Sequence, residues 1–260
     1  MKRLLTYLFL LNYSLSFAQV QVTESEIISV GESVTRFTDS IPTNNNFLNV
    51  GANLSWDYSG SNQHFSNVTN AVDPATTPNG ADFPGSNLCL TSDNINFLYF
   101  ESSVNENVST GLAGDPINAG VSLSAQLDPP SLVYDYPLQY QKSFNGAYKI
   151  NETADGSAFS VDSIWLKREA THENFIEAYG QIETIDGIFK CIKDKRIEYT
   201  IDTILAKFSI FPGFPAQWNQ VDIIYDTIVN YNFHTRESKL PLVEVSTDLQ
   251  GNLDSTSITV

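Results

Sequence analysis

The stretch Ala178–Ile204, AYGQIETIDGIFKCIKDKRIEYTIDTI, decides the reading of this chain. Asp186-Gly187 is a two-residue turn signal, because a tight hairpin needs positive φ at its centre and Asp-Gly tolerates it. After the turn, Ile197, Tyr199 and Ile201 alternate with Arg196, Glu198 and Thr200. That is the period-2 pattern of a strand with one buried and one wet face. The stretch therefore predicts antiparallel strands folded back on one another.

Working outward, the same texture covers the chain from Val20 onward. Short runs rich in Val, Ile, Phe, Tyr and Thr recur between Gly, Pro, Asn and Asp clusters, and helical periodicity is nearly absent. Examples are NFLYFESSV, AFSVDSIWLK and DIIYDTIVNYNF. The fold class predicted is all-β, an antiparallel β-sandwich in a single domain over residues 19–260. Long loops are expected between Asp73 and Asn87 and between Phe211 and Val221. Asp128-Pro129-Pro130 is rigid punctuation, since Pro fixes its own φ and pushes its predecessor extended. It marks a lobe boundary near 128–130 in the alternative arrangement of two packed β lobes.

Residues 1–18 read as a signal peptide: Lys2 and Arg3 as the basic head, Leu4–Leu11 as the apolar run, and Ser16-Phe17-Ala18 as the cleavage pattern. Export follows, with secreted or periplasmic residence. No second long apolar run is present, so no membrane span is expected. The 260 residues carry 30 acids against 14 basic residues, a net charge of −16, and two of the basic residues lie in the leader. Such a surface repels phosphate backbones, so nucleic acid is not an expected partner.

No G-x-S-x-G elbow occurs, and Gly111-Leu112-Ala113-Gly114 lacks the lysine of a phosphate loop. A glycosidase needs only two carboxylates at the right separation. Glu173 and Glu177 in HENFIEAYG offer such a pair, superficially like the acidic strand of laminarinase-like sandwich enzymes, although Phe175 stands where that signature has a further carboxylate. His64, His172 and His234 are far apart and lack zinc spacing. Asp73, Asn79, Asp82 and Asn87 share one loop and are candidate calcium ligands, with turn capping as the competing role. Cys89 and Cys191 either form a disulfide, closing a loop of about a hundred residues worth several kcal/mol, or pack as two buried thiols. Trp56 and Trp165 read as core. Trp218, in FPGFPAQWNQ, is the candidate exposed ring for ligand binding, and Tyr134, Tyr136 and Tyr140 cluster before the hairpin.

Several phrases together resemble a group of uncharacterised exported proteins of Bacteroidota, many of them cargo of type IX secretion. They are NVGANLSWDYS at Asn49–Ser59, the DPATTP and DFPGSNL runs within Asp73–Leu88, YPLQYQKSF at Tyr136–Phe144, AYGQIETIDGIFKCIK at Ala178–Lys193, and KLPLVEV at Lys239–Val245. The resemblance implies a β-rich module of the envelope or extracellular space and no catalytic residues. Such proteins often continue into a sorting domain, which is not seen before Val260, so periplasmic residence stands beside secretion. It also implies O-glycosylation at exposed copies of Asp-Ser/Thr-Ile, which recurs at Asp39, Asp162, Asp202 and Asp226. The function expected is a non-catalytic module binding a glycan or an envelope or extracellular protein, or supporting cell-envelope structure. The alternative is a glycan-degrading hydrolase using Glu173 and Glu177.

Overall fold

The structure, a computed structural model, describes residues 20–43, 46–115, 122–209 and 214–260. The leader read at residues 1–18 lies outside them. The strands are β1 (Ser33–Asp39), β2 (Gly51–Asp57), β3 (Phe65–Val72), β4 (Leu88–Thr91), β5 (Phe97–Ser102), β6 (Glu106–Gly114) and β7 (Leu123–Asp135). They continue as β8 (Ser143–Asp155), β9 (Ser163–Thr184), β10 (Gly187–Phe208), β11 (Gln217–His234), β12 (Val243–Thr247) and β13 (Leu253–Thr259).

Neighbour follows neighbour in the order β10-β11-β12-β13-β1-β3-β4-β5-β6-β7-β8-β9, and β9 pairs back onto β10. The sheet thus closes into a 12-stranded antiparallel barrel. This corrects the expected sandwich. In a sandwich, two sheets keep free edges; here the last strand, β13, pairs with the first, β1, so the strand order runs round without an end. The hairpin itself turns one residue earlier than expected. Thr184 pairs with Gly187 around Ile185-Asp186, and Gly187 takes φ 136°.

β9 and β10 are 22 residues each and β11 is 18. At about 3.3 Å per residue the longest run to about 70 Å. The wall is therefore tall along β8–β11 and short along β12, β13 and β1. Asp128-Pro129-Pro130 lies inside β7, not between lobes, and the β7–β8 ladder holds one register pair, Asp128↔Lys149. Two prolines in succession withdraw one donor from each of the two ladders of β7, which thins this seam and interrupts the β6–β7 register between Gln126 and Ser131.

Apolar side chains pack on both sides of the wall. Inside, Val20, Val22, Leu138, Ile176 and Ile192 fill one end, where Val22 bridges to Leu138. Further along the tall side, Ala125, Leu127, Ile150 and Ala170 form a second internal cluster. Outside, the segment Asn46–Tyr58 lies across the wall as a strap. Its β2 pairs parallel to β9, and Phe47, Trp56 and Tyr58 pack on Tyr231, Phe233, Val243 and Ile258. Gly180 permits this approach, since a Cβ there would sit 2.0 Å from the Leu54 carbonyl oxygen. The Asp73–Asn87 loop, as expected, has no strand and folds over β5, where Phe83 stacks on Tyr99 at 4.0 Å. The other expected loop is shorter than read: β11 already begins at Gln217, and residues 211–213 lie outside the described residues.

Candidate functional site: an exposed aromatic face and a buried polar belt

Barrel closure turns the alternation of β10 inside out. Tyr199 and Ile201, expected to be buried, are 43% and 41% exposed, while Thr200 is buried. Ile197 shares their face but lies lower, under the strap, where it packs against the outer core. Above the strap the outer face of β8–β11 is bare. Cross-strand register sets Thr153, Trp165 and Leu205 in one row, and Asn151, Lys167, Thr203 and Ile223 in the next. Lys149, Glu169, Ile201 and Tyr225 form the third, and Ala147, Thr171, Tyr199 and Thr227 the fourth.

Trp218 stands at the far end of this face beside Lys207, its cross-strand partner. It is 38% exposed and meets Trp165 edge-on, with ring centroids 5.5 Å apart. Trp165, read as core, is therefore half-buried on the outer wall. Its indole N–H donates to the Asn151 side-chain oxygen at 2.6 Å, and the Lys167 ammonium lies 3.6 Å from its ring centroid. Lys149 pairs with Glu169 at 2.7 Å. Beside that pair a shallow groove of about 240 Å³ runs to Pro129 at the thin β7–β8 seam, with Tyr199 and Ile201 in its wall. Flat rings and hydrogen-bonding groups thus alternate across four strands.

The inner wall is polar. His172 Nδ1 bonds Asn174 Oδ1 at 3.1 Å, and its Nε2 meets Ser131 Oγ at 3.2 Å. Asn174 donates its amide to Asp194 at 3.0 Å, so its oxygen takes the His172 N–H and the ring is neutral at Nε2. Gly146 leaves room for that ring: a Cβ there would come 2.5 Å from Nε2. Arg196 grips Glu198 at 3.1 and 2.7 Å, and Tyr148 donates to the same carboxylate at 2.7 Å. Arg168 holds Asp202 through two bonds of 2.7 and 2.6 Å. Burial pushes His234 down to about 4 and, with help from the Arg196 charge, His172 to about 4. Burial raises Asp194 to about 6. His234 and Asp194 face each other at 4.0 Å. This belt was missed in the sequence, where Arg196 and Glu198 read as a solvated face.

The other candidates are placed as follows. Glu173 is exposed on the outer wall. Glu177 is the extra residue of a β-bulge and forms an ion pair with buried Lys193 at 2.7 Å, beneath the strap. Asp73 caps its own turn by accepting from the Ala75 N–H, Asn87 clamps the Ser102 backbone, and Asp82 accepts from Asn79 and from Ser124 at 2.7 Å. These four pin the loop, and among the described residues no three His, Cys, Asp or Glu side chains are grouped to hold a metal ion. Cys89 and Cys191 are free thiols rather than a bridge. They are buried in separate clusters on the outer wall, which pushes both up to about 12. Tyr134 and Tyr136 are neighbours at 5.9 Å, whereas Tyr140 instead meets Tyr179.

Among the described residues no helix is long and apolar enough to cross a membrane, which leaves open what the barrel wall does. The chain matches no protein-family model, no curated protein and no solved structure.

Proposed function

We propose that the protein is an exported, non-catalytic module that binds a polysaccharide along the outer face of β8–β11. The observation that carries this reading is the Trp165–Trp218 pair, with Asn151 and Lys167 beside it on an uncovered outer sheet face. Sugar rings present C–H faces that stack on indole and phenol rings, and their hydroxyls are met by amides and charges at the ring edges. Tyr199 and Tyr225, 43% and 74% exposed, extend the platform along the strands. The carboxylates in the rows of this platform, Asp155 and Glu169, stand three rows apart and are held by Ser157 and Lys149, which favours holding a polymer over cleaving it, since glycosidases need two carboxylates in one cleft. Lys149, Lys167, Glu169 and Glu173 all lie on the outer wall in mid-strand. A lipid-facing belt is apolar, so the barrel belongs in an aqueous compartment, periplasmic or extracellular.

The test is co-sedimentation with a panel of insoluble polysaccharides. Retention on at least one polymer is expected, weakened about tenfold by Trp218→Ala and by Trp165→Ala, in keeping with the loss of one aromatic contact. Retention indifferent to both substitutions, or none on any polymer, overturns the reading.

A further inference from the structure

β11 is paired along its whole length with β10, but β12 covers its other edge only from Val229 to Phe233. Above that, among the described residues, the edge from Gln217 to Ile228 has no strand beside it. Both faces of this half are open: Tyr225 is 74% exposed on the outer face, and Ile224 and Ile228 are 42% and 41% exposed on the inner one. A long, apolar, unpaired edge is a template for another strand. Its main-chain groups alternate. Leu242 N–H donates to the Phe233 carbonyl and the Thr247 hydroxyl to the Val229 carbonyl, so odd residues turn their backbone toward the β12 side. Ile223, Tyr225 and Thr227 continue that row upward. Two of these donors are covered from within: Asp222 accepts from Ile223 N–H and Asp226 from Thr227 N–H, both at 2.8 Å.

We propose that this edge accepts an extended segment of a partner protein, one carrying Lys or Arg at alternate positions. When the incoming carbonyls take the N–H groups of Ile223 and Thr227, the two Asp carboxylates lose their donors. They are left on the same face as the new strand's side chains, where a cation replaces what they gave up. A second copy of this chain fits poorly. Two β11 edges meeting antiparallel, odd residue against odd residue, bring Asp222 and Asp226 of the two copies opposite or diagonal in every register centred between them. Like charges at about 5–8 Å then repel, within a chain of net charge −16. The strand adds beside the edge rather than over the aromatic face, so the glycan reading is independent of it.

The probe is a fluorescent seven-residue peptide alternating Lys and Val, titrated against the full protein by anisotropy. Its controls are a Glu/Val peptide and the Lys/Val peptide N-methylated at alternate residues, with charge and side chains unchanged. Saturable binding of the Lys/Val peptide is expected, weakened at least about tenfold by N-methylation through lost main-chain bonds. Tyr225→Pro removes an edge donor that is outside the β10 ladder and is expected to abolish binding while circular dichroism stays unchanged; should that variant unfold, the N-methylated peptide decides alone. Equal binding of the N-methylated peptide reduces the effect to bulk charge and overturns the proposal. So does absence of binding, or sedimentation showing that the protein alone dimerises through this edge and loses the dimer in Tyr225→Pro.

Discussion

Lys193 is fully buried, and its ammonium is satisfied by the carbonyls of Phe47 and Asn49, both at 2.5 Å, and by Glu177 at 2.7 Å. Desolvation lowers its pKa, opposed by Glu177. One side chain thus ties the strap to the barrel wall, and the bulge at Glu177 exists to aim a carboxylate at it. Lys193→Met is expected to cost about 3–5 kcal/mol, the cost of leaving a buried carboxylate and two carbonyls without a donor. Urea unfolding gives that number, and hydrogen exchange should rise first in the strap. A uniform rise in exchange across the barrel would instead assign Lys193 to global stability.

At the scale of elements, the hairpin β9–β10 does two jobs. Its lower half seats the strap, and its upper half carries the aromatic rows that the strap does not reach. β11 pairs with it and pays for the tall wall with an exposed edge. Asp222 and Asp226 guard that edge by occupying its donors and by charge. Replacing both by Ala is therefore expected to promote edge-to-edge association: sedimentation velocity should show a concentration-dependent dimer or larger species where the parent protein shows none. A monomeric double variant would mean that the strand's twist, rather than its acids, keeps copies apart.

At the scale of the molecule, the buried belt couples the fold to pH. His172 and His234 have folded pKa values near 4, below the ordinary 6.5. The unfolded chain then binds their protons first, so stability is present above about 6.5 and is lost as pH falls toward 4. Asp194 works the other way. Its pKa is raised from 3.8 to about 6, so the folded state takes up a proton between those values and regains stability there. Two losses against one gain leave a net loss of about 3 kcal/mol between pH 7 and 4.5. Thermal melts across that range should show a falling Tm, with a shallower slope in His234→Gln. A Tm that rises on acidification would mean that Asp194 dominates the belt.

The sequence by itself determined what is local. Strand chemistry placed the β class, the hairpin near Asp186-Gly187 to within one residue, the loop at Asp73–Asn87 and the burial of Trp56, because turns, prolines and β-branched runs act on their own neighbours. Only the tertiary structure decided what depends on closure. A period of two distinguishes two faces of a strand without saying which one is inside. Once the ring closed, Arg196, Glu198 and Thr200 became lining, and Tyr199 and Ile201 became surface. The register of β9, β10 and β11 likewise brought Trp165 beside Trp218 and gathered His172, Asn174, Asp194 and His234 on the inner face of the same three strands. Those contacts join residues that no local pattern pairs, since they rest on where two successive hairpins turn and on the bulges within them, and a one-residue slip would undo them.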